Sequence, residues 1–250
     1  MKKVCVLKTD GTNCDAEAVY AFQKVGATVD VLTMYHLRRN PQLLNKYDVL
    51  ALPGGFSYGD DIASGKIFAV ELLSFLKKSI ETFVAEGKRV IGICNGFQIL
   101  VRSGLLPFRS LGNPKATLMS NCSGSFECRW VTMHVEKSDC IFTRGFEGCT
   151  ITLPVAHAEG NFFASKETIQ TIEQQNLAVL RYSTISGPTQ KYPDNPNNSV
   201  NAIAGICDTT GNIFGLMPHP ERFIKKEHHP NWRRKKSEPI GLEFFKNAVS

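Results

Sequence analysis

The sequence predicts an α/β fold: a mostly parallel central sheet flanked by helices on both faces, with a few added antiparallel strands. Three observations predict it. Short apolar runs alternate with amphipathic stretches from residue 4 to residue 102. Turn-forming residues close several of those runs. From residue 126 onward the runs become alternating or β-branched, as antiparallel strands are.

Taken in order, Val4–Leu7 is a short apolar strand. A helix starts at Asn13 or Cys14 and runs to about Val25, where Gly26 stops it. Ala27–Leu32 is a second strand, and Asp48–Leu52 a third that ends in Pro53-Gly54-Gly55. The amphipathic stretch Lys66–Ala85 reads as one long helix closed by Gly87. Arg89–Ile93 is the fourth strand and Phe97–Arg102 the next helix. Ligands of parallel sheets sit beyond the carboxyl ends of the strands, which singles out Cys94, the Gly54-Gly55 pair and the loop Thr9–Asn13.

Further on, Phe126–Val135 and Thr150–Pro154 read as antiparallel strands, Lys166–Glu173 as a short helix and Leu177–Tyr182 as a strand. Ser183–Ser199 is rich in turn formers and reads as a loop. Val200–Cys207 and Asn212–Leu216 form a hairpin around "DTTG", and a helix near Pro239–Ala248 ends the chain. With no repeat, no low-complexity tract and no linker, residues 1–250 form one domain, to which 224–250 is appended as a basic loop and tail.

Composition narrows the function. The 250 residues are 42% hydrophobic and 21% charged, ordinary values for a globular protein with a sizeable core. The N-terminus lacks the apolar core of a signal peptide, and no run of eighteen apolar residues suggests a membrane span. Residues 225–236 hold six Lys/Arg and one Glu, so a net charge of +6 leaves the rest of the chain nearly neutral. No nucleic-acid partner is expected of the body; the basic run is a solvated loop or a contact for RNA or an acidic partner. The eight cysteines show no C-x-x-C pair and no zinc-type spacing with histidine. Reduced thiols in the cytoplasm are therefore expected, and no metal site.

The chemistry starts at "GICNG". Gly92, Cys94 and Gly96 frame a thiol at a sharp turn between a buried strand and a helix. Such a turn strains the backbone of its central residue and needs small neighbours. It sets the sulfur at a helix N-terminus, where unpaired N–H groups favour a thiolate. The N–H of Asn95 then points where an oxyanion would develop, and the Gly54-Gly55 pair is the candidate for the second donor. A thiol nucleophile wants a base, and the base an orienting group. His219 and Glu221 in "PHPER" have that spacing, with two prolines stiffening the backbone. His157 and Glu159 in "VAHAEG" have it too, so spacing alone leaves both pairs open.

Together, "GICNGFQ" and "MPHPER" resemble the class I glutamine amidotransferases, whose fold is flavodoxin-like. "GTNCD" at 11–15 and "LPGGFSYGDDIASG" at 52–65 are similar to the glutaminases of formylglycinamide ribonucleotide amidotransferase. So are "FECRWV", "PVAHAEGNFF" and "DNPNNSVNAIAGICD", and the likeness runs from Val4 to Phe223. The resemblance implies a Cys94–His219–Glu221 triad, an oxyanion hole of Gly55 and Asn95, and substrate contacts from Gln98 and Phe126. It implies glutamine hydrolysis through a thioester, with ammonia handed to a synthetase subunit that makes an amidine in purine synthesis. ATP and magnesium would serve that partner, since this chain has no P-loop and needs no cofactor itself. A small third subunit is implied as well.

Some features depart from the pattern. The loop 183–199 and the tail after Arg222 are longer than expected, "KTDGTNCD" has a polar lead-in, and Ser125 replaces a basic residue. A hydrolase of similar fold and a non-catalytic amidotransferase-like subunit are the alternatives. The "PGGFSYGD" and "GTNCD" motifs argue against the first, and the complete set of triad residues against the second.

Overall fold

The computed structural model describes residues 1–234 and 238–250. Its strands are β1 (Lys3–Lys8), β2 (Thr28–Thr33), β3 (Val49–Leu52), β4 (Arg89–Ile93), β5 (Ala116–Ser120), β6 (Glu127–Val135), β7 (Thr150–His157), β8 (Glu159–Ala164), β9 (Ala178–Thr184), β10 (Gly187–Pro188), β11 (Ile203–Cys207) and β12 (Ile213–Leu216). Its α-helices are α1 (Asp15–Lys24), α2 (Met34–Arg39), α3 (Lys66–Glu71), α4 (Lys77–Ala85), α5 (Asn95–Arg102), α6 (Lys166–Gln174) and α7 (Gly241–Val249).

The main sheet runs in the order β2-β1-β3-β4-β12-β11-β9-β6-β7, with β10 paired to β9. The β2-to-β12 half is parallel, and everything from β11 to β7 is antiparallel. Strands β3 and β12 are buried throughout, because layers cover both of their faces. Successive strand residues point to opposite faces. Thus Phe214 stacks on Phe244 of α7, while a Cβ on the next residue, Gly215, would meet the ring of Phe97 in α5 at 2.1 Å. Helices therefore lie on both faces of the sheet.

Three differences from the sequence reading have local causes. The stretch Lys66–Ala85 is two helices joined by a π-helical turn, Leu72–Leu76. Its buried residues Phe68, Leu72, Leu76, Ile80 and Val84 recur every four positions. An α-helix turned at 100° per residue drifts by roughly 40° per such step, and one wide turn returns the row to the core. The tail is no mere appendage: Phe244 and Phe245 of α7 are fully buried, with Phe245 edge-on to Phe22 of α1 at 4.9 Å. The loop 183–199 is not only surface, since Asn195, Asn197 and Ser199 are buried and hydrogen-bonded to one another. The basic run packs in part on β6, with His229 against Trp130 at 4.7 Å; its Lys235 and Lys236 lie outside the described residues.

Candidate active site

Four neighbouring parallel strands, β1, β3, β4 and β12, deliver the site from their carboxyl ends. β1 leads to Cys14, β3 to Gly54-Gly55, β4 to Cys94 and β12 to His219.

Cys94 stands between β4 and α5 with φ 51° and ψ −104°, a region that costs a non-glycine residue on the order of 1–3 kcal/mol. The neighbours hold it there. Its N–H donates to the Leu216 carbonyl at 2.8 Å, and its carbonyl accepts from Gln98 N at 3.1 Å. Both flanking glycines are sterically required. A Cβ on Gly96 would fall 1.9 Å from the Leu52 carbonyl oxygen, and one on Gly92 would fall 2.6 Å from the Gly96 carbonyl oxygen. The thiol thus faces the cavity, resting 3.6 Å from the Ala156 carbonyl. The Asn95 N–H, in the first turn of α5, has no acceptor within its own helix.

His219 follows β12, and its N–H is fixed on the Pro154 carbonyl at 2.8 Å. Pro220 starts a 3₁₀ turn that curls Glu221 back on the ring. Glu221 Oε1 lies 2.5 Å from His219 Nδ1, and both residues are only 1% exposed. Burial alone would lower the His219 pKa. The Glu221 carboxylate, then the Cys94 sulfur, outweigh it and raise the pKa well above the ordinary value. Among the described residues Nε2 has no partner in hydrogen-bond geometry, which leaves it available to a reacting group.

His157 is placed differently. Its Nδ1 faces Asn121 Oδ1 at 3.0 Å, and burial, then the charge of His219, pushes its pKa down to about 3. Glu159 turns away to Arg102, at 2.9 Å. Geometry therefore joins Cys94 to the His219–Glu221 pair.

The cavity above Cys94 measures about 230 Å³. Its wall includes Gly55, Phe126, His219, Cys14 and Arg222. Phe126 is 48% exposed at the mouth, its ring 6.3 Å from Phe56. Gly54 must be glycine: a Cβ there would stand 2.8 Å from His219 Cε1. Gly55 has φ 147°, and its loop is tied to that of β1 through an isolated bridge to Thr12.

Gln98 is not brought to the cavity. Its amide donates to the Glu159 carbonyl at 2.5 Å and accepts from Asn95 Nδ2 at 3.0 Å. Asn95 Nδ2 also reaches Asp60 Oδ1 at 3.3 Å, and Ser57 N donates to Asn95 Oδ1 at 3.4 Å. Burial raises the Asp60 pKa. Gln98 thus braces the start of α5 from behind, and a substrate contact would need these bonds to open.

The sequence reading missed several groups of the wall, Cys14, Cys128 and Arg222 among them. Arg222 Nη2 donates to Cys14 Sγ at 3.1 Å. Both stood inside quoted motifs, "GTNCD" and "PHPER", but only the chain path brings residues so far apart together. Among the described residues, the one cluster with metal-ligand proximity is Cys14, His219 and Glu221, within 4.8 Å of one another, and there the imidazole is committed to the carboxylate.

Residues 1–250 match the family described as the CobB/CobQ-like glutamine amidotransferase domain. The chain is 42% identical to the phosphoribosylformylglycinamidine synthase subunit PurQ of Dehalococcoides mccartyi, covering 99% of this chain and 96% of that one. It is 39% identical to the PurQ subunit of Methanococcus maripaludis, over 99% of this chain and 97% of the other. A chain from the structure of PurLQS from Thermotoga maritima superposes with a TM-score of 0.77 at 33% identity, covering 100% of this chain and 98% of that one.

Proposed function

The chain belongs to the CobB/CobQ-like glutamine amidotransferase family, and from that we infer that it is the glutaminase subunit of phosphoribosylformylglycinamidine synthase. The observation that carries the reading is the strained thiol of Cys94 sharing a cavity with the buried His219–Glu221 pair.

In this reading Cys94 Sγ attacks the side-chain amide carbon of glutamine while His219 holds the thiol proton. The carbonyl oxygen, now an oxyanion, sits between the N–H groups of Gly55 and Asn95. As the C–N bond breaks, His219 gives the proton to the leaving ammonia, and a γ-glutamyl thioester remains. Water, deprotonated by His219, opens the thioester and releases glutamate. Glu221 keeps Nδ1 occupied, so that Nε2 is the nitrogen that exchanges protons. Phe126 forms one side of the entrance through which glutamine passes.

The ammonia is passed to a synthetase subunit, which converts formylglycinamide ribonucleotide to its amidine with ATP and magnesium. The name PurLQS of the Thermotoga structure supports a synthetase and a small third subunit as partners of this chain too. A cytoplasmic location belongs to the same reading and is supported by eight free cysteines. Among the described residues no helix is long and apolar enough to cross a membrane.

Covalent labelling tests the reading. Treatment with 6-diazo-5-oxo-norleucine should give a single adduct on Cys94, blocked by glutamine. If Cys94 reacts with a plain thiol reagent but never with the glutamine analogue, even with the synthetase subunits present, the glutamine site is not there.

A further inference from the structure

Three thiols line the cavity, Cys14, Cys94 and Cys128, and glutamine hydrolysis uses one. Cys14 shares the surroundings of Cys94 most closely. Its Sγ lies within 4.8 Å of a His219 ring nitrogen and accepts the Arg222 hydrogen bond at 3.1 Å. A Cβ built on Gly54 would be 3.2 Å from Cys14 Sγ and 3.5 Å from Cys94 Cβ. The missing side chain of residue 54 therefore leaves one gap that borders both cysteines. His219, against both thiols, is a base that serves either.

We propose that Cys14 is the resolving thiol of a reversible oxidation of Cys94 by hydrogen peroxide. The proposal rests on Cys94 being the reactive thiol of the reading above. The Cys94 thiolate attacks one peroxide oxygen. The O–O bond breaks, the sulfur becomes a sulfenic acid, and the departing hydroxide takes the His219 proton and leaves as water. Cys14 then gives its own proton to His219, and its sulfur attacks Cys94 Sγ. The S–O bond breaks, the S–S bond forms, and the second hydroxide leaves as water with that proton. Two thiols are oxidised by two electrons and one peroxide is reduced to two waters. To reach the gap beside Gly54, Cys94 Sγ leaves the Ala156 carbonyl. The disulfide stops ammonia release, spares Cys94 from irreversible oxidation to the sulfinic acid, and is opened by a dithiol.

The test treats the full chain with hydrogen peroxide, alkylates remaining thiols and maps the cysteines by mass spectrometry. Glutaminase activity is followed in the assembled complex before and after a dithiol reductant. The expected result is a Cys14–Cys94 disulfide, with activity lost and then restored. In Cys14→Ala, Cys94 should advance to the sulfinic acid and the reductant should restore nothing, whereas Cys128→Ser should still close the bond. A Cys94–Cys128 disulfide overturns the proposal, as does sulfinic acid on Cys94 forming as fast in the wild type as in Cys14→Ala. If Cys14→Ala does not fold, the wild-type and Cys128→Ser maps decide. Mapping needs no turnover, so an untreated complex without glutaminase activity would sink the functional reading while the disulfide result stood on its own.

Discussion

His157 and Glu159 repeat the spacing of His219 and Glu221, yet their surroundings make them opposites. His157 ends β7 and Glu159 begins β8, so the chain corner at Ala158 sends the carboxylate away to Arg102. Pro220 instead starts a tight turn that folds Glu221 onto its histidine. Both histidines are buried. Beside a carboxylate, one has its pKa raised well above 6.5; without one, the other falls to about 3. The pair that can exchange a proton is decided by backbone direction after the histidine, which spacing does not encode.

The largest expected effect breaks the comparison outright. His219→Ala should lower kcat of glutamine-dependent synthesis by about 10³–10⁴-fold, as loss of a general acid–base does, and leave ammonia-dependent synthesis intact. His157→Ala should lower kcat by no more than about tenfold. Steady-state kinetics of both variants in the assembled complex check this, and equal losses would remove the case for His219. Glu221→Gln comes next, at about 10³-fold, because the imidazole loses the charge that holds it protonated and oriented. Only the Cys94 and Cys14 sulfurs then oppose burial at His219, so the pH dependence of inactivation by 6-diazo-5-oxo-norleucine should shift toward lower pH on its alkaline side. An unshifted profile would mean that Glu221 does not set the His219 charge.

The two histidines should also oppose each other in stability. His219 binds its proton more tightly when folded, so its contribution is full below about pH 6.5 and is lost as pH rises through the folded value. His157 binds its proton less tightly when folded. Its contribution is full above about pH 6.5 and is lost as pH falls toward 3, a loss on the order of 5 kcal/mol over that window. His157→Gln keeps a donor for Asn121 and removes the titration. Urea midpoints measured between pH 7 and pH 4 should therefore fall less steeply in this variant than in the wild type, and equal slopes would refute the neutral buried His157.

Much of this was legible in the sequence, and the exceptions share a cause. Strand periodicity and glycine placement located β1, β3, β4 and β12 within a residue or two, and with them Cys94 and the Gly54-Gly55 pair. Cys94 was legible because two glycines mark an elbow; His219 and Glu221 were one of two pairs that spacing left open, and the family resemblance, with a proline for a turn, favoured them. Cys14 and Arg222 were not legible, because their contact joins residues 208 apart in the chain. Gln98 was misplaced because helical position says which turn a side chain occupies but not which neighbour claims its amide. Strands β5 and β8 escaped notice because they pair only with each other, away from the main sheet.

The smallest effect sharpens the comparison on its carboxylate side. Glu159 ion-pairs with Arg102 at 2.9 Å, both side chains being partly exposed to water, and accepts from Ser64 N at 3.3 Å. Such a pair is worth roughly 1 kcal/mol. Glu159→Gln retains an oxygen for Ser64 and loses only the charge. Thermal unfolding should then register a loss of about 1 kcal/mol, and kcat should stay within about twofold, since nothing in this pair touches His157 or the cavity. Were kcat to fall as far as in Glu221→Gln, Glu159 would be setting the charge of a catalytic histidine after all. The physical distinction between the two His-x-Glu segments would then have to be sought in a motion of the β7–β8 corner rather than in its present geometry.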